Sequence, residues 1–169
     1  MHAIPPPSHI LSEQTSMTEV GLVSPDQNQE NYQLLKDIMA FDLSKLITYV
    51  KDRHPEVDVD KAAMQYRYFI YLSVATEKSL PVPNDDVDKV WHAAILHTQD
   101  YAVFCQEVAG YFIHHEPGKL TSEQTMKGHE DLTYLSLEHF GKVVFETSKP
   151  KSDCKAACII PKPGDPKLM

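Results

Sequence analysis

The sequence predicts an all-α fold: a single-domain bundle of four to six helices with a disordered segment at each end. Apolar residues recur at helical spacing through most of residues 30–147, and helix start and stop signals divide that stretch into separate segments. Strand signals are confined to two short apolar runs, at 111–113 and 142–145.

Three regions differ in composition. Residues 1–29 are rich in Pro, Ser, Gln and Thr without apolar periodicity, so we expect them to be disordered. Residues 30–147 form the predicted helical domain, and residues 148–169 form a flexible tail rich in Lys and Pro. In this tail Cys154 and Cys158 are spaced C-x-x-x-C, and we expect solvated thiols there rather than a soft-metal site or a local disulfide.

Charge and cysteine content limit the classes of partner and compartment. The formal net charge is −8, with −4 on residues 1–30 and +3 on residues 149–169. Because an acidic body repels phosphate backbones, we expect a protein partner and no nucleic acid. No apolar run reaches the ~20 residues that span a bilayer, so no membrane association is expected. An N-terminus without a secretory pattern, and three cysteines, indicate a cytoplasmic protein.

The first half of the predicted domain contains two helical stretches. Residues 30–53 carry an apolar stripe, and Asp42 and Ser44 indicate that this stretch divides into two shorter helices. The next helix carries apolar residues at helical spacing, and either Asp58 or Asp60 is suited to cap it.

Cap residues define the last two predicted helices. Asn84 is a good N-cap for the third helix, and Gly110 is a natural stop for it. The fourth helix begins at Thr121, which forms a capping-box pattern with Gln124, and it ends near Gly141.

The third predicted helix has an apolar seam with a polar edge beside it. On a helical wheel centred on Trp91, the seam comprises Val87, Trp91, Ala94, Ile95, Thr98, Ala102, Cys105 and Ala109. The polar edge comprises Asp85, Asp88, His92 and Gln99, while His97 lies about 140° from His92, on the other side of the seam. We therefore expect Trp91 to be a core residue and Cys105 to be a small buried hydrophobic residue rather than a nucleophile.

This polar edge is the candidate metal site. Asp88 and His92 are four residues apart and hence neighbours on consecutive turns, a spacing that metal ligands use. His114 and His115 follow in an extended or turning segment, where one can point inward and the other outward. Together these residues suggest a His/carboxylate site with open positions for a divalent metal, Zn or non-haem Fe.

A structural role for the same residues is the favoured interpretation. Asp88 then only neutralises His92, and the adjacent histidine pair ties a loop to helix ends through hydrogen bonds. His129 and His139, on the fourth helix, are placed to reach the same volume. No H-E-x-x-H signature accompanies these histidines, and nucleotide-binding, serine-hydrolase and kinase motifs are absent from the sequence.

Two sequence segments carry a family resemblance. Residues 87–101 read VDKVWHAAILHTQDY, and residues 110–117 read GYFIHHEP. The first resembles the pattern D-x-x-W-H-x-H-x-L-x-x-x-x-Y of the glycine-rich domain-containing protein-like family, with Asp88, Trp91, His92 and Tyr101 at its fixed positions. The second resembles the I-H-H-x-P element of stand-alone bacterial members.

The resemblance implies a helical fold over about residues 35–145, without implying a reaction. The second histidine of the W-H-x-H pattern is Ala94 here, so a metal role carried over from the family would lose one ligand. Two functions stay open. The favoured one is a small protein-interaction or accessory module, and the alternative is a metal-binding protein or metal-dependent enzyme. The further candidate site residues are Asp85, Trp91, His97 and Tyr101.

Overall fold

The structure is a computed structural model that describes residues 25–118, 120–145 and 157–159. Within these ranges six helices and two short strands form, which confirms the predicted all-α class. The helices are α1 (Pro25–Ala40), α2 (Ser44–Arg53), α3 (Val59–Thr76), α4 (Asp85–Leu96), α5 (Thr98–Ala109) and α6 (Ser122–Phe140). The strands are β1 (His114–Glu116) and β2 (Ala157–Ile159). None of the described helices is long and apolar enough to cross a membrane.

The first helical stretch is divided where the sequence predicts. The carboxylate of Asp42 accepts a hydrogen bond of 2.9 Å from the backbone N–H of Ser44, at the start of α2. α1 begins at Pro25, five residues before the predicted start of the domain, because the fixed φ of proline suits a first helical turn. The rest of the predicted N-terminal segment, residues 1–24, lies outside the described residues.

Short-range signals set the other helix ends. Asn84 caps α4 by accepting from the backbone N–H three residues later, and Asp58 rather than Asp60 caps α3. Thr121 and Gln124 form the predicted capping box of α6. α5 and α6 both end at a glycine in the left-handed conformation, as predicted, since glycine adopts it without steric cost.

The predicted third helix is in fact two helices, α4 and α5. At His97 the backbone leaves the helical conformation, and the His97 Nδ1–H donates to the carbonyl of Ala93 over 2.8 Å. The break changes the phase of the buried face, so the predicted seam is wrong for Thr98 and Ala102, whereas Cys105 is buried as predicted. Thr98 and Ala102 are exposed. The buried residues of α5 are Tyr101, Phe104, Cys105 and Val108.

The core is centred on α3, which packs against α1, α2, α4 and α6. Phe69, Ile70 and Leu72 of α3 are fully buried. Trp91 of α4 is also fully buried, as predicted, and packs edge-to-face on Phe69 with ring centroids 5.4 Å apart. Burial of each such side chain contributes about 1.5–3 kcal/mol to folding, so Trp91 fixes α4 firmly against α3.

The two strands join the C-terminal segment to the helical body. β1 and β2 are antiparallel, with His115 opposite Cys158. Cys158 and its neighbour Ala157 are fully buried, so the predicted solvated thiol is wrong for Cys158. Small side chains in an extended segment fit against β1, a long-range match that composition does not reveal. Cys154 lies outside the described residues, and the strand candidates at 111–113 and 142–145 are not strands.

Candidate metal site

α4 and β1 bring three potential metal ligands together, namely Asp88, His92 and His115, called here the Asp88 cluster. His115 Nε2 lies 2.8 Å from Asp88 Oδ1, and His92 Nδ1 lies 3.7 Å from Asp88 Oδ2. One ligand atom from each of the three residues lies within 4.8 Å of the others. The carboxylate of Asp88 therefore stands between two imidazoles that come from separate elements.

The Asp88 cluster is closed on its inner side and open on its outer side. The exposed fraction of the side chain is 5% for His115, 12% for Asp88 and 55% for His92. A buried carboxylate is costly unless it is paired, and His115 provides that pairing directly. Of the three side chains, His92 is therefore the one that solvent reaches most readily.

A chain of two hydrogen bonds holds β1 in place beside α4. The Trp91 Nε1–H donates to the Tyr101 hydroxyl over 2.9 Å, and that hydroxyl donates to the carbonyl of Ile113 over 2.7 Å. Burial raises the pKa of Tyr101 well above its ordinary value, so the hydroxyl stays protonated and remains a donor. The ring of His115 also packs against Trp91, with centroids 4.6 Å apart. Trp91 and Tyr101 thus position His115 rather than act as ligands.

The adjacent histidines point to different surroundings, as the sequence predicts for an extended segment. His115 is the inward member. His114 packs instead beside the ring of Phe112, with centroids 5.1 Å apart, and does not belong to the Asp88 cluster. Two other candidates are also outside the cluster: Asp85 is the first residue of α4, and His97 lies at the break before α5.

The histidines of α6 do not reach the Asp88 cluster, so that prediction is wrong. His129 Nε2 lies 3.2 Å from the carbonyl of Val82, and His139 Nδ1 lies 3.0 Å from the hydroxyl of Tyr71. Burial lowers the pKa of His139, which favours its neutral form beside that hydroxyl. Both histidines therefore serve contacts between α6 and the rest of the core.

Sequence reasoning missed one residue near the site. Cys158 lies opposite His115 in the strand pair, and burial raises the pKa of its thiol to about 12. No local pattern signals this pairing, because the two residues are far apart in the chain and β2 is only three residues long. The free Cys105 is buried as predicted, and burial raises the pKa of its thiol too.

Residues 33–133 match the protein family described as UCP032817-like. The chain belongs to this family. The matched range contains α2 to α5, β1 and all three residues of the Asp88 cluster, and it ends before β2. No curated protein and no solved structure matches the chain significantly.

Proposed function

We propose that this protein binds a divalent transition metal, Zn or Fe(II), through Asp88, His92 and His115. The observation that carries the proposal is the convergence of three ligand atoms within 4.8 Å of one another. Two imidazoles and one carboxylate are the donor set of zinc enzymes and of non-haem iron sites, and they leave coordination positions open for water or a substrate.

The distances in the Asp88 cluster support such a site. Ligand atoms around a tetrahedral zinc ion stand about 3.3–3.5 Å apart, given Zn–N and Zn–O bonds near 2.0–2.1 Å. In the structure His115 Nε2 lies 2.8 Å from Asp88 Oδ1 and His92 Nδ1 lies 3.7 Å from the other oxygen, Asp88 Oδ2, so these side chains must shift to give one ligand atom each at that spacing. His92 is more than half exposed, so its side chain can move inward without disturbing the core.

The competing explanation is a hydrogen-bonded pair of Asp88 and His115 without a metal, and the role of His92 distinguishes the two explanations. Asp88 and His115 satisfy each other across 2.8 Å, so a purely structural role needs no contribution from His92. A metal site needs His92 as its third ligand. Replacement of His92 therefore removes the metal but leaves the pair, and its exposure makes the substitution mild for folding.

The test is metal binding by untagged protein, with His92→Ala compared with His114→Ala. Both substitutions remove one imidazole, but only His92 is in the Asp88 cluster. We expect close to one zinc per wild-type chain and per His114→Ala chain by elemental analysis after dialysis. We expect zinc affinity, from competition with a chromophoric chelator, to fall by about 100-fold or more in His92→Ala. Equal affinities in the two variants, or no zinc on the wild type, would refute the proposal.

The cytoplasmic location predicted from the sequence belongs to the same proposal. Cys105 and Cys158 are both free, and free thiols persist in reducing compartments.

An interaction module is the second candidate function, and one face of α6 favours it. Met126, Tyr134 and Leu137 are 64%, 66% and 50% exposed, and they lie within about 80° of one another around the helix. α6 also carries four acidic residues against one lysine. We infer a protein partner that offers an apolar surface with a basic rim.

The interaction proposal is tested with Tyr134→Ser/Leu137→Ser. We expect a partner recovered with the wild-type protein, then purified, to bind the double variant at least tenfold more weakly. The His114→Ala variant serves as the control and should bind normally. A purified partner that binds both forms equally would exclude this face of α6.

A further inference from the structure

The three residues Ala157–Ile159, called here the C-terminal strap, lie between two other segments of the chain. On one side the strap pairs with β1, where Cys158 is opposite His115 and Ala157 is opposite Glu116. On the other side the Cys158 N–H donates to the carbonyl of Leu80 over 2.9 Å, and Ala157 forms a bridge with Pro81. The strap therefore lies in a groove, and one wall of this groove is β1, the strand that carries His115.

His115 belongs to both structures at once. Its imidazole contacts Asp88 in the cluster, while its backbone lies opposite Cys158 in the strand pair. Within the described ranges β1 has no strand partner other than the strap. Anything that fixes the position of His115 therefore fixes the strand against which the strap docks.

We propose that metal binding at the Asp88 cluster controls the docking of the C-terminal strap. The inference rests on the proposed metal site and adds its regulation. The hydrogen bond to Ile113 holds the start of β1, and an ion that binds His115 restrains the middle of the strand as well, which lowers the entropic cost of docking. By thermodynamic linkage the effect is reciprocal, so a docked strap holds His115 in place and raises the affinity for the ion.

The strap is suited to such control because it is short. A two-stranded ribbon is marginally stable in water by itself, so its docking depends on side-chain burial and on a well-placed partner strand. The buried side chains of the strap are small, Ala157 and Cys158, so the apolar area that holds it is small too. Segments of this kind open locally well before the whole domain unfolds.

Cys158 gives a direct measure of strap opening. Its thiol is fully buried when the strap is docked, so an alkylating reagent reaches it only after opening. Cys105 is an internal control, because it is equally buried but lies on α5, within the helical core. The experiment is iodoacetamide labelling of the full-length protein, with the modification of each cysteine followed separately by mass spectrometry.

Without metal, we expect Cys158 to be labelled faster than Cys105. Zinc at ten times its dissociation constant should slow the labelling of Cys158 by up to about 11-fold, the limit that is reached when the undocked state binds the ion far more weakly than the docked state does. His92→Ala should remove this protection. Loss of protection in this variant would also exclude the alternative that zinc slows the labelling by binding directly to the Cys158 thiol. Asp88→Ala should accelerate the labelling of Cys158 more than that of Cys105 even in the absence of metal.

The outcomes separate the inference from the proposal on which it rests. Zinc that binds without slowing the labelling of Cys158 would leave the metal site standing and overturn the control of the strap. Equal labelling rates for Cys158 and Cys105 without metal would show that the strap opens only with the core, and would overturn it as well. Failure of zinc to bind would overturn both the metal site and its regulation of the strap. Faster labelling of Cys158, but not of Cys105, in metal-free Asp88→Ala would in that case still support coupling between the cluster and the strap.

Discussion

Tyr101→Phe removes a single buried oxygen that joins three elements of the fold. The Tyr101 hydroxyl accepts a hydrogen bond from Trp91 on α4 and donates one to Ile113, just before β1. Trp91 and Ile113 are both fully buried, so neither the indole N–H nor the carbonyl gains water as a replacement partner. Each of these two buried polar groups costs about 1–3 kcal/mol when it is left without a partner, which gives a total of about 2–6 kcal/mol.

Urea denaturation provides the assay. A loss of about 2–6 kcal/mol is a large part of the ~5–15 kcal/mol that stabilises an ordinary domain, so the midpoint should fall clearly while the slope stays the same. Tyr134→Phe is the matched control, because the side chain of Tyr134 is 66% exposed on α6 and the same oxygen is removed. We expect the control to change stability by less than about 0.5 kcal/mol.

The same variant reports on the position of β1. The Tyr101 hydroxyl holds the backbone two residues before His115, so its removal should weaken zinc binding in Tyr101→Phe but not in Tyr134→Phe. If Tyr101→Phe were as stable as Tyr134→Phe, the hydrogen-bond chain from Trp91 to Ile113 would not hold α4 and β1 together. The account of how His115 is positioned would then be wrong.

Two further predictions concern the groove and the start of α4. In Gly128→Ala the new Cβ would lie 2.5 Å from Cδ of Pro81, whose ring cannot rotate away. We therefore expect the free energy of unfolding, measured in urea, to fall by about 1–3 kcal/mol and Cys158 to be labelled faster. Unchanged stability would show that α6 can shift away from Pro81 without cost. Asn84→Ala removes the N-cap of α4 and should cost about 1–2 kcal/mol by the same assay; an unaltered midpoint would mean that the cap contributes nothing.

Features that depend on neighbouring residues were predictable from the sequence. In the cap at Asn84 and the capping box at Thr121, each side chain lies within one turn of the backbone N–H with which it forms a hydrogen bond. A segment of three or four residues therefore defines them. The division near Asp42 is local in the same way. The spacing of Asp88 and His92 likewise follows from helix geometry alone, and both residues do lie on one side of α4.

Features that lack a recognised local signal, or that depend on distant residues, were not predictable. The break at His97 falls inside an uninterrupted apolar pattern, and its side chain bonds back to a carbonyl without any of the usual helix-stop residues. The choice of His115 over His114 is set by the direction in which β1 passes α4. The C-terminal strap is three residues in a lysine- and proline-rich stretch, and only its pairing with β1 and Leu80 gives it structure.

Position 94 shows why a sequence pattern and a ligand set need not coincide. Ala94 replaces the second histidine of the W-H-x-H pattern, and the sequence alone suggested that a ligand was lost. The side chain of Ala94 is 3% exposed and lines a small cavity with Tyr66 and Tyr101. Because residues two apart on a helix differ by about 200° in direction, a histidine there would point away from His92. The Asp88 cluster therefore loses no ligand through the alanine at position 94, and its third potential ligand, His115, comes instead from β1.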